Sequence, residues 1–131
     1  MPVKTFPFIT ATQARKLLRI TVSVFLIAHG ITRTYLGTVG GFGEFLNSKG
    51  LLIGGVLAWG VTIFEIVGGA GMALGYFVRW IAAIFIIELL MGIILVHAQN
   101  GWFVVGATQG GMEYSVMLIV SLVVIAAQDK A

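Results

Sequence analysis

The chain has 131 residues, of which 59% are hydrophobic and 10% charged, against roughly a half and a quarter in soluble domains. So few charges cannot coat a soluble domain of this length, and the composition is that of an integral membrane protein. The net charge of +3 is a topology signal with no nucleic-acid patch in it, and the absence of cysteine excludes thiol nucleophiles, disulfide exchange and Fe–S ligation.

The chain is expected to form a single transmembrane domain, 1–131, without internal repeats or linkers. Residues 1–12 place Phe6, Phe8 and Ile9 beside Lys4, the pattern of a segment lying along a membrane interface or of a frayed end. Thr10 with Gln13 has the spacing of a capping box ahead of a first span at about 14–36. Arg15, Lys16 and Arg19, a short apolar run and Ala28-His29-Gly30 also have the form of a leader peptide; the segment is read as a retained span. Residues 37–50 are expected as a loop. The second span, about 51–75, carries one charge, Glu65. A break at Gly75-Tyr76 leads to the third, about 78–98, whose one interior charge is Glu88. Gly, Asn and Gln fill a loop at 99–111, and the fourth span covers about 112–128. Each stretch reaches or nearly reaches the ~20 residues that cross ~30 Å of hydrocarbon. The expected fold is all-α, an up-down four-helix bundle.

Basic residues near the span ends set orientation. Lys4, Arg15, Lys16, Arg19, Arg79 and Lys130 fall on one side and only Arg33 and Lys49 on the other, which predicts both termini in the cytoplasm. Tyr76 with Trp80, and Tyr35 with Trp102, fit the two aromatic belts.

Ionisable groups inside a bilayer cost roughly 2.5–3.5 kcal/mol each on insertion scales. His29, Arg33, Glu65, Glu88, His97 and Glu113 therefore each need a reason. Gly54, Ala58, Thr62, Glu65, Gly69 and Ala73 follow steps of three and four, so the second span has one small, polar face that packs inward and carries Glu65 with it. His29 and Arg33 lie one turn apart, and Arg33 is placed to pair with Glu65 or Glu113. Each of these residues also has a plainer reading. The histidines serve as donors in a structural network, and Glu113 suits the dipole at a helix N-terminus. Haem is disfavoured, since a bis-His site needs both rings on facing helices at one depth, and the spacings make no metal site.

Glu88 and His97 are nine residues apart, about 180° around a continuous helix. If His97 faces inward, Glu88 faces outward near the midplane. Its relief is then another subunit, a bound proton, or both, with contacts near Glu88 and Gly92; the opposite rotation leaves Glu88 internal and His97 at the outer interface.

Taken in order, Arg19, His29-Gly30-x-x-Arg33, Glu65-Ile-Val-Gly-Gly, Gly75-Tyr-Phe-Val-Arg79, Met91 leading to His97 and Gly101-Trp-Phe, and Gly111-Met-Glu113-Tyr114 resemble the DoxX family over about 15–127. The chain has Arg33 where members commonly have Lys, and Glu88 lies outside the pattern. The resemblance implies a small four-helix protein of a bacterial or archaeal cytoplasmic membrane, linked to quinone-dependent redox chemistry. It assigns His97 to the internal cluster with His29, Arg33, Glu65 and Glu113 as ligand or proton-network candidates. Two functions stay open. One is a quinone-facing membrane subunit of an oxidoreductase, with a non-covalent quinone as its ligand. The other is a non-catalytic accessory or scaffold subunit. Without Cys, a Rossmann fingerprint or a P-loop the chain carries no electrons unaided, so both imply the lipid bilayer plus other membrane or redox subunits, in a homo- or hetero-oligomer.

Overall fold

The computed structural model describes residues 4–128, and within them the chain is all-α. Five helices follow in order: α1 Ala11–Tyr35, α2 Val39–Ser48, α3 Gly54–Leu74, α4 Val78–Leu95 and α5 Glu113–Gln128, with a 3-10 turn at His97–Asn100. Helices α1, α3 and α4 are long and apolar enough to cross a membrane; α5, with 16 residues, is a shorter apolar helix. The chain is a multi-pass membrane protein, and its exposed Val24, Ile63, Val67, Ile87, Ile94 and Val123 face the bilayer. Met1–Val3 of the N-terminal segment and Lys130 lie outside the described residues.

Local chemistry sets the helix ends. The capping box forms at α1: Gln13 N–H donates to Thr10 Oγ1 at 3.1 Å, and Thr10 N–H to Gln13 Oε1 at 2.9 Å. Gly75 ends α3 with φ +91°, where Tyr76 N–H donates to Gly71 O and Gly75 N–H to Met72 O, closing a Schellman turn. Arg19 of α1 reaches the same end and donates from Nη2 to Ala73 O at 3.5 Å, a cation on the negative pole of α3. Two residues, Tyr76 and Phe77, then suffice to start α4.

The expected loop at 37–50 is instead the helix α2. Its docking, more than its glycine-rich sequence, stabilises it. Gly43 lies so close to Gly54 and Gly55 that a methyl group there would come within 2.9 Å of Gly55 Cα, and Asn47 Oδ1 accepts from Gly54 N–H at 2.8 Å, capping α3 from outside. Val39 and Leu46 bury against Ala58 of α3.

Helix α3 is the hub: α1, α2 and α4 all pack on it, and α5 packs on α4 and α1. The small face of α3 does turn inward, with Gly54, Ala58, Thr62, Glu65 and Gly69 buried. A methyl group on Gly30 of α1 would come within 2.8 Å of Ile66 Cγ1 and 2.9 Å of Thr62 O, and one on Gly69 within 2.6 Å of Ile27 Cγ1. Glycine at both places lets α1 and α3 touch backbone to backbone. The main core gathers Val22, Leu26, Met72, Phe85, Leu118 and Leu122 from α1, α3, α4 and α5.

Candidate functional site

The close approach of α1 to α3 at Gly30 brings Arg33, one turn further along α1, against the inward face of α3. Arg33 Nη1 donates to Glu65 Oε1 and, at 3.0 Å, to Thr62 Oγ1, while its guanidinium stacks 4.8 Å from the centre of the Phe42 ring. Thr62 Oγ1 donates in turn to Ala58 O at 2.7 Å. Arg33 pairs with Glu65, then, and not with Glu113. The Glu65 side chain is 4% exposed and that of Arg33 19%, so this is a largely desolvated pair, whose partners depend on one another.

Glu88 lines the cleft among α2, α3 and α4, near Glu65 and in the field of Arg33. Of the two rotations open for this span, the one with Glu88 turned toward its own bundle fits this position. Helical phase sets Glu88 and His97 on opposite faces only if one continuous helix runs from 78 to 98, whereas α4 ends at Leu95 and Val96 breaks it with φ −130° and ψ −63°. Beyond that break His97 is no longer on the helical phase of Glu88. It sits in the 3-10 turn with Nδ1 2.8 Å from Gly110 O, and Gly92 lies beside it: a methyl group there would be 3.9 Å from His97 Cδ2.

The expected five-residue cluster accordingly separates. Arg33 and Glu65 come together, joined by Glu88. His29 is exposed on α1, its ring centroid 6.4 Å from that of Tyr114 on α5. His97 and Glu113 hold the 99–111 loop: Glu113 Oε1 accepts from Val104 N–H at 3.2 Å, and Gly110, Gly111, Met112 and Glu113 donate backbone bonds to Val104, Phe103, Gly101 and Trp102. The two histidine rings therefore lie against different partners. Among the described residues no group of three or more His, Asp or Glu side chains could hold a metal ion.

Two cavities flank the Arg33–Glu65–Glu88 group. One, open and about 530 Å³, is lined by Phe25, His29, Thr32, Arg33, Thr38 and Tyr114. The other, about 640 Å³, lies among α2, α3 and α4; Glu88 is its one ionisable lining residue amid Phe42, Leu57, Phe64, Met91 and other apolar side chains. Sequence reasoning quoted Tyr114 in the family pattern without singling it out as a site residue, and it left the direction of Glu88 between two rotations. For Thr62 the signal was present, since it shares the small inward face with Glu65.

The DoxX family model matches residues 14–98, a stretch that holds His29, Arg33, Glu65, Glu88 and His97. No curated protein and no solved structure matches the chain.

Proposed function

Because the chain belongs to the DoxX family, we propose that it is a small membrane subunit of a quinone-linked redox complex in the cytoplasmic membrane of a bacterium or archaeon. In this reading the helices that span the bilayer form an up-down four-helix bundle with α5 as its fourth member, and both termini face the cytoplasm. Tyr76 and Trp80 then lie at the inner belt and Tyr35 and Trp102 at the outer, all four exposed. Phe6 and Phe8, also exposed, lie along the inner interface.

The observation that carries the reading is the desolvated Arg33–Glu65–Glu88 group with a cavity on either side. A purely structural salt bridge needs one carboxylate per guanidinium; a second carboxyl beside it adds cost without adding stability. The donor set fits a quinone, which needs hydrogen-bond donors for its carbonyls and apolar walls for its ring and tail. When bound, a quinone supplies a two-electron, two-proton acceptor. The chain's own residues do the rest: Arg33 fixes Glu65, Thr62 orients Arg33, Glu88 brings a second carboxyl to the neighbouring cavity, and His29 and Tyr114 present polar groups at the open pocket.

A second reading, a non-catalytic accessory subunit, draws on His97 and Glu113, which are spent on holding a loop that could face a partner. Binding of a short-chain quinone to the detergent-purified protein, monitored by quenching of Trp59, Trp80 and Trp102, separates the two. The redox reading expects saturable quenching that weakens about tenfold or more in the Arg33→Leu/Glu65→Leu double variant. Equal quenching in both proteins, or none in either, goes against it.

A further inference from the structure

The cleft among α2, α3 and α4 is almost wholly apolar along its walls and has a cation at one end. It exists because α4 packs on α3 less closely than α1 does, while α2 lies across the gap. Along α4 its wall runs from Ile84 to Leu95, a rise of about 17 Å, close to half of the ~30 Å of hydrocarbon in a bilayer. The cleft therefore has the depth of one leaflet, the one on the α2 side. It opens to that leaflet, since Val56, Ile84, Ile87 and Met91 of its wall are exposed. Spread over this depth, about 640 Å³ gives a mean cross-section on the order of 40 Å², about half that of a helix ~10 Å across. A helix of a second copy is too wide for it. Water would find little to bond to on these walls, and a void would forfeit the dispersion contacts of the lining. An acyl chain is slender and apolar, and it is the surrounding solvent.

The mouth of the cleft selects the head group. Phe45, Leu46 and Leu51 form that end, where α2 passes into α3, and Lys49 Nζ stands 5.6 Å from the Phe45 ring centre. Lys49 is exposed, and among the described residues its ammonium pairs with no carboxylate. Glu44, the one acid of α2, lines no part of the cleft. A cation thus stands where a chain lying in the cleft would leave the hydrocarbon, which is where a phospholipid carries its phosphate. We propose that the α2–α3–α4 cleft is a phospholipid site, with one acyl chain along α3 and α4 as far as Phe64 and Ile84 and an anionic head group at Lys49. The site does not depend on the redox reading, and it leaves the open pocket beside His29 and Tyr114 to a quinone.

The test is photolabelling of the full chain in phosphatidylcholine liposomes, followed by peptide mapping. The probes are trace phosphatidylglycerol or trace phosphatidylcholine, each with a diazirine on one acyl chain. Label should gather on Leu57, Phe64 and Met91 in excess of Val24 on α1 and Val123 on α5, which face ordinary bilayer lipid. The excess should be about fivefold greater for phosphatidylglycerol, and Lys49→Gln should remove that difference. Gly60→Phe narrows the cleft without touching its charged mouth: Gly60 lines the cleft, and open space surrounds the position its Cβ would take. It should abolish the excess from both lipids without lowering the thermal midpoint. Label on the cleft no stronger than on Val24 and Val123, or an excess that survives Gly60→Phe, overturns the site. Equal labelling by the two lipids in the unaltered protein overturns the role of Lys49. Cross-linking of α3 and α4 to a second copy in place of lipid labelling assigns the cleft to an oligomer contact and overturns the proposal.

Discussion

At the level of single residues, Arg33 has more partners than any other charged side chain described, and each makes a distinct demand. Glu65 needs a positive charge, Thr62 an N–H donor, and Phe42 a flat cation. Arg33→Leu leaves Glu65 unpaired and desolvated, so a loss of about 3–5 kcal/mol is expected. Lys49→Leu removes a charge that lies 5.6 Å from the Phe45 ring centre, in a cation–π contact at the exposed C-terminal end of α2, and should cost no more than about 1 kcal/mol. Thermal midpoints in detergent separate these outcomes; equal shifts would contradict the importance given to the pair. Replacing both Arg33 and Glu65 by Leu should be milder than Arg33→Leu alone, since no charge is left stranded. Glu65 and its inward direction were legible in the sequence because α3 is unbroken from Gly54 to Leu74, so steps of three and four hold throughout. The direction of Glu88 is lost when the same arithmetic is carried across Val96, where the helix has already ended. Spacing alone gives no sign of that break.

Among the elements, the α1–α3 contact and α2 behave in opposite ways. Glycine on the α1–α3 seam marks a place with no room: Gly30→Ala should cost about 1–3 kcal/mol and push Arg33 away from Glu65. Glycine in α2 marks unused propensity. Gly41 has open space around it, and Gly41→Ala should stabilise α2 by up to about 1 kcal/mol. If the two substitutions shift the melting midpoint in the same direction, the packing described for these helices is wrong. Asn47→Ala should lower stability by about 1 kcal/mol through the lost bond to Gly54 N–H, and hydrogen exchange at the start of α3 would report it. That α2 is a helix at all could not be read from Val-Gly-Gly-Phe-Gly-Glu-Phe-Leu-Asn-Ser, since local propensity argues against it and the support comes from α3. The capping box at Thr10 and the glycine stop at Gly75 were legible because their signals are local.

For the whole molecule, orientation and ligand remain tied to the bilayer. The chain contains no cysteine, so single introduced cysteines report topology without a prior deletion. Phe77→Cys, at the turn between α3 and α4, should be reached by an impermeant thiol reagent only from the cytoplasmic side, and Lys49→Cys only from the outer side. The reverse pattern would invert the bundle. The membrane class and the helical architecture were visible in composition and span length, whereas the way His97 and Glu113 serve the 99–111 loop was not, because that loop is organised by backbone bonds that side-chain identity does not announce. The central claim is that a quinone meets a desolvated charge group inside a small bundle that works with a redox partner. Purification of the native protein in mild detergent, with co-purifying proteins identified and extracted quinones quantified by mass spectrometry, tests this most directly. Stoichiometric quinone together with an electron-carrying subunit is the predicted result; a stable partner recovered repeatedly without quinone would contradict it.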